Sequence, residues 1–249
     1  MKIKNKKLIN YFLNKYEFKN TNNINHFLEF FYKEIKEAIT YSGNIINNDL
    51  IKSIINIPDN FDIINNTSFI SNEIKDFIKN NTENYYTFKF NMFSTNIKIH
   101  FAIYDSDSLK DIHNLLYLMM CWLYIGIKYK KKECSKFLNI YIYFINFKKC
   151  LSKNIILGPK NCNSGFTYAC SIDNTICIFR KEEVLKVFIH ESFHALGLDF
   201  SYKTLDNKKI LLNHFNINSN FNLSESYTET WATIINSLFF CYFKLNKKN

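Results

Sequence analysis

Val187-Phe188-Ile189-His190-Glu191-Ser192-Phe193-His194-Ala195-Leu196-Gly197 places two histidines four residues apart. His-Glu-x-x-His lies there inside an apolar, helix-compatible run. On a helix, positions i and i+4 lie one above the other, so His190 and His194 can grip a single metal ion. Glu191, rotated by one residue, can face a water on that metal. Zinc held by two His and one carboxylate keeps a position open for water and lowers its pKa toward about 7. A neighbouring carboxylate can then act as general base. The expectation is a hydrolase with one catalytic Zn2+, His190 and His194 as metal ligands and Glu191 as the catalytic base.

Two His do not complete such a site, and the chain downstream supplies the third ligand. Asn222-Leu223-Ser224-Glu225-Ser226-Tyr227-Thr228-Glu229-Thr230-Trp231-Ala232 opens with a capping-box-like Asn222/Glu225 pair, and Trp231, Ile234, Ile235, Leu238 and Phe239 carry an apolar helical stripe. Glu225 and Glu229 share one face, where two like charges repel unless a metal or a His partners them. Glu225 is expected to ligate the metal. Glu229 is expected to take a ring N–H of His190 or His194. A merely solvated acidic face is the plain alternative.

Upstream, the period changes once. Residues 1–80 read as a helical N-terminal region: Phe27, Leu28, Phe30, Phe31, Ile35, Ala38 and Ile39 recur at helical spacing up to Ser42-Gly43. A second helix is expected over Asp49–Ile55, and a third from the N-cap Ser71 through Ile78. From residue 81 onward the pattern is that of a second unit, 81–249. Tyr85–Phe90 and Ile97–Tyr104 alternate as a hairpin around Ser94-Thr95-Asn96. Ser106–Tyr129 reads as a long helix, buried all round in its second half. Phe137–Phe147, Phe166–Cys170 and Thr175–Phe179 read as strands. The order gives an α+β domain, a sheet backed by one helix with the metal helix beneath it. A strand of the 166–179 hairpin beside the cleft would hold an extended peptide by strand addition. The lone His100 reads as an ordinary buried or surface residue.

Composition narrows the class. Aromatic content (25 Phe, 16 Tyr) argues against disorder. The net charge of +10 rests almost wholly on Lys, with Arg180 the only arginine, and specific nucleic-acid readout favours the forked guanidinium. A nucleic-acid partner is therefore not expected; a protein or peptide substrate is. Seven cysteines without a Cys-x-x-Cys pair suggest reduced thiols. The start lacks the apolar core of a signal peptide, and Leu115–Ile127 is short for a bilayer, so an intracellular protein without a membrane partner is expected.

His190-Glu191-x-x-His194 followed 31 residues later by Glu225-x-x-x-Glu229 resembles the gluzincins. In that clan a downstream helix supplies a carboxylate ligand and, four residues on, an acid that supports a zinc-bound His. Thermolysin-like and anthrax-lethal-factor-like families place the ligand first, which the resemblance transfers to Glu225. Asn163-Ser164-Gly165-Phe166-Thr167-Tyr168, Ile178-Phe179-Arg180-Lys181-Glu182-Glu183 and His194-Ala195-Leu196-Gly197-Leu198-Asp199-Phe200 are similar to stretches of metallopeptidases of large DNA viruses. The resemblance covers roughly residues 155–240 and implies a zincin-like fold: a mixed twisted β-sheet, a backing helix and an active-site helix. It implies a zinc metallopeptidase, a viral protein in host cytoplasm or virion. Metzincins fit less well, since Phe200 occupies their third-His position and no Met follows Met120. A deformylase-like amidase, using Cys150 of Cys150-Leu151-Ser152 as ligand, is one alternative. A non-catalytic interaction or virion protein on the same scaffold is another. For the oxyanion, His214 ranks first as the additional catalytic residue, ahead of Tyr202 and Tyr227.

Overall fold

A computed structural model describes residues 22–56, 62–82, 84–102, 104, 109–150, 157–201 and 222–245. In chain order these form α1 (Asn22–Asn48), β1 (Ile51–Asn56), α2 (Asp62–Asn65), α3 (Asn72–Asn81), β2 (Asn84–Met92) and β3 (Thr95–Ala102). Then come α4 (Leu109–Tyr129), β4 (Phe137–Ile142), α5 (Pro159–Cys162), β5 (Gly165–Thr167), β6 (Asp173–Ile178), α6 (Val184–Leu196) and α7 (Leu223–Leu245). The fold is α+β, with one six-stranded mixed sheet ordered β1-β2-β3-β4-β6-β5.

The expected β2–β3 hairpin forms, with Phe93-Ser94 at its turn and Met92 opposite Thr95. The long helix α4 then carries the chain from β3 to a parallel β4, and β4 pairs in parallel with β6. A parallel neighbour needs a crossover, which is why a long apolar helix stands between β3 and β4. β5 returns antiparallel to β6 and ends the sheet.

Strand alternation sends side chains to two cores. Ile97, Ile99, Phe101, Ile140, Ile176 and Ile178 face the cluster built by α1, α4, α6 and α7. Cys177, Phe179 and Phe166 face the other side, under Ile64, Ile70, Ile74 and Ile78 of the α2–α3 region. α4 packs against α6, which itself contacts β5 and β6: Gly126 lets Leu196 approach so closely that a Cβ there would lie 2.9 Å from its Cδ1.

Several expectations change. The Asp49–Ile55 segment is not helical but contributes β1, the sheet edge opposite β5, pairing with β2 from Ile51↔Lys89 to Asn56↔Asn84. Its three isoleucines suit a strand, and a waiting partner decides between the two states. The first helix does not stop at Ser42-Gly43 but runs on to Asn48. Gly43 has open space around it, while Ile45 beyond it is buried; burial offsets the roughly 1 kcal/mol that a mid-helix glycine costs. Residues on both sides of position 80 contribute to the sheet and to the cores on its two faces. Cys134 and Cys170, expected as free thiols, form a disulfide with Cα atoms 4.6 Å apart, because loops 36 residues apart in sequence meet behind α6. No helix among the described residues is long and apolar enough to cross a membrane.

Candidate metal centre

α6 carries His190, Glu191 and His194, and its position is set by what satisfies its end. The last four carbonyls of a helix lack intrahelical partners. Here all four are bonded. Leu198 N donates to Phe193 O (2.9 Å), while Gly197 N (3.2 Å) and Cys170 N (3.0 Å) donate to His194 O. Ser135 Oγ (2.7 Å) and Asn174 Nδ2 (3.3 Å) donate to Ala195 O, and Lys131 N donates to Leu196 O (3.2 Å). Gly197 adopts φ +65°, the left-handed conformation that glycine takes at no steric cost. The Cys134–Cys170 disulfide joins the loops that supply these donors. On the opposite side Trp122 Nε1 donates to Ser192 Oγ (2.5 Å), pinning α6 to α4.

α7 packs against α6 and brings its acids over the histidines. His190 Nε2 lies 3.3 Å from His194 Nε2 and 3.2 Å from Glu225 Oε2, and His194 Nε2 lies 3.4 Å from Glu225 Oε1. The two histidines meet different oxygens of the Glu225 carboxylate, and one donor atom from each of the three residues lies within 4.8 Å of the others, a grouping that could hold one ion. The far ring nitrogens are held as well. His194 Nδ1–H donates to the buried Asp199 Oδ2 (2.6 Å), and His190 Nδ1–H donates to Glu229 Oε2 (3.2 Å). Each bond fixes the tautomer whose Nε2 lone pair points at the common centre. Lys186, one turn before His190, pairs with Glu229 and holds it in place.

A proton on His194 can supply the positive charge that the neighbouring carboxylates favour. Burial opposes charge on His194, yet hydrogen bonds to Asp199 and Glu225 raise its pKa to about 10. Glu225 is held far below the usual carboxylate range by its hydrogen bonds to His190 and His194. Burial raises Glu191 to about 7, with Glu225 pushing the same way and the two histidines opposing. A metal ion placed among these carboxylates would supply the positive charge they favour, and its field would return Glu191 toward its ionised form.

The centre opens on a cleft of about 600 Å³ whose lining includes Glu191, Gly165, Thr167 and Phe69. β5 forms its wall. Phe179 N donates to Ser164 O (3.0 Å), so alternation of the antiparallel ladder turns the backbone N–H and C=O of Gly165 and Thr167 outward along a sheet edge that is unpaired among the described residues. A Cβ at Gly165 would lie 3.0 Å from Val187 Cγ1 and 3.2 Å from Glu191 Cγ, so the missing side chain lets the strand lie against α6.

No protein-family model, curated protein or solved structure matches the chain.

The structure therefore brings together four of the sequence-derived site residues around one point, His190, His194, Glu225 and Glu229, with Glu191 beside them. His214 and Tyr202 lie outside the described residues. Tyr227 packs among Phe193, Phe200 and Trp231 and does not line the cleft. Cys150 is exposed, its carbonyl accepting from Asn161 Nδ2, and it is not part of the donor group. His100 is buried, with Nδ1 on Thr87 Oγ1 (2.9 Å) and its ring stacked on Tyr141. Asp199 and Lys186 were not anticipated as supports of the histidines. The available signals were an acid just past the end of α6 and a cation on its His190 face.

Proposed function

We propose that the chain is a zinc-dependent metallopeptidase, with one Zn2+ held by His190, His194 and Glu225 in the gluzincin manner and Glu191 as general base. The observation that carries this reading is the grouping of one donor atom from each of His190, His194 and Glu225 within 4.8 Å, with Glu191 on the same cleft. When bound, zinc supplies a Lewis acid and lowers the pKa of a water ligand toward about 7. Glu191 takes the proton of the attacking water and passes it to the departing amine, so one carboxylate serves as base and then acid. Asp199 and Glu229 hold the two imidazoles while charge at the centre changes. The edge of β5, unpaired among the described residues, supports a peptide substrate, because Gly165 and Thr167 offer paired donors and acceptors that an extended backbone satisfies. The deformylase-like alternative draws no support from Cys150, which stands apart from the donors.

Metal analysis combined with cleavage of a peptide library tests the reading. Glu191→Gln is expected to retain one zinc per chain and lose hydrolysis. His194→Ala is expected to lose both, and stoichiometric zinc in that variant refutes the ligand set. Zinc without cleavage in the native protein refutes the enzyme in favour of a binding scaffold.

A further inference from the structure

We infer that Phe69 is a specificity-determining residue of this cleft, selecting extended peptides with an aromatic or large aliphatic side chain opposite Phe166 of β5. The inference rests on the peptide-cleft reading above. It assigns a role in that cleft to the N-terminal region, which the metal-site motifs leave without one.

The argument begins with β5. A strand added to that edge continues the sheet, and its side chains alternate between the two faces. Opposite Gly165 and Thr167 they point toward α6 and the metal donors. Opposite Phe166 the side chain points to the other face, about 5 Å from Phe166 across the pair. On that face Phe69 stacks on Phe166, with ring centroids 5.9 Å apart and planes within 12°. Phe69 also lines the cleft, and 54% of it is exposed, whereas Phe166 is 5% exposed. The pair forms an apolar platform at the position that the peptide side chain reaches.

Phe69 is held there by more than its stacking. Asn163 Nδ2 donates to Phe69 O (2.9 Å), and Phe69 N donates to Thr67 Oγ1 (3.1 Å). Lys75 Nζ donates to Thr67 O (2.5 Å) and Asn65 O (3.2 Å), and the next residue, Ile70, is buried in the core of that face. Asn163 is itself tied down, since Arg180 Nε donates to its carbonyl (2.8 Å) while the same guanidinium donates to Phe147 O and Lys160 O. A braced loop that leaves an aromatic ring half exposed has already lost the conformational entropy a flexible loop would lose on binding. Aromatic pairs gain contact energy beyond the area they bury, so the platform ranks peptides by the size and π-character of one residue.

The test uses zinc-loaded full-length Glu191→Gln protein and an immobilised library of unstructured peptides of Ala, Ser and Thr that vary at one central position. Retention of Phe, Tyr, Trp and Leu peptides about tenfold above Ser and Lys peptides is expected, within the range one apolar pocket provides. Phe69→Ala, introduced into the same protein with zinc content unchanged, is expected to bring the ratio close to one. Phe69→Leu keeps the apolar volume without the ring, and serves if the alanine variant does not fold; its preference is expected to shift from aromatic to aliphatic peptides. No aromatic enrichment by the parent protein, or the same enrichment in either Phe69 variant, overturns the inference. Exposing the same peptides to the native protein separates the two readings. Enrichment without cleavage overturns the enzyme and leaves the Phe69 assignment standing. Cleavage without enrichment overturns only the assignment, and neither result overturns both.

Discussion

Replacing Gly197 by alanine probes how tightly α6 is locked to the loops behind it. Gly197 has φ +65°, and a Cβ there would lie 2.7 Å from Cys134 Sγ, 3.2 Å from Lys131 Cδ and 3.5 Å from Cys170 Sγ. Two costs arise. Holding alanine in the left-handed region costs about 1–2 kcal/mol, and forcing a methyl against a packed disulfide costs about 1–3 kcal/mol. A total of about 2–5 kcal/mol is expected, read as a lower urea midpoint at unchanged slope. The two parts separate in a double-mutant cycle. In a Cys134→Ala background the sulfur that blocks the methyl is gone, so Gly197→Ala should cost only the backbone part. A coupling of about 1–3 kcal/mol between the two sites is then expected. An equal cost in both backgrounds, or a cost under about 1 kcal/mol with the disulfide present, refutes the packing argument.

Three further expectations concern the surroundings of the site. Asp199→Asn keeps the shape beside His194 but removes the charge that anchors its Nδ1–H; metal affinity measured against a competing chelator should weaken about 10–100-fold, and unchanged affinity would show that Asp199 does not support the ligand. His100 is pushed down to about 4 by burial, with Lys98 and Lys89 adding to the effect. Above its ordinary value of 6.5 it is neutral in both states; below that the unfolded chain takes the proton first, so stability falls as pH drops from about 6.5 to about 4, by about 3 kcal/mol. In His100→Asn this part of the urea-midpoint pH profile should flatten, and an unaltered slope would contradict the assignment. Arg180→Met leaves the carbonyls of Phe147, Lys160 and Asn163 without their donor. A carbonyl buried without a partner costs about 1–3 kcal/mol, and because these three are only part-buried and water can reach them, a total loss of about 1–3 kcal/mol is expected, with faster hydrogen exchange at Cys162–Gly165. Native-like exchange there would argue against the bracing role.

The helix carrying His190 and His194, the β2–β3 hairpin, the long α4 and the Glu225/Glu229 face were legible in the sequence because each is a local pattern. Helical and strand periods come from backbone geometry, and the i, i+4 spacing of two His or two Glu is meaningful without any knowledge of the fold. Where the local signal was ambiguous, the tertiary structure decided. Ile51–Asn56 became a strand because β2 offered a ladder, and α1 ran through Gly43 because Ile45 beyond it found a core. Other features depend on contacts between residues distant in sequence and have no local signature. The Cys134–Cys170 bond joins loops brought together behind α6, and Phe69 meets Phe166 only because α2, α3 and β5 share one face of the sheet. Asp199 is an intermediate case: it lies close to His194 in sequence, but only the left-handed turn at Gly197 folds it back onto the imidazole. By itself the sequence identified which residues could bind a metal. Packing of α7 on α6 brought their donor atoms within 4.8 Å of one another, because burial of two apolar helix faces fixes distances that no spacing along the chain encodes.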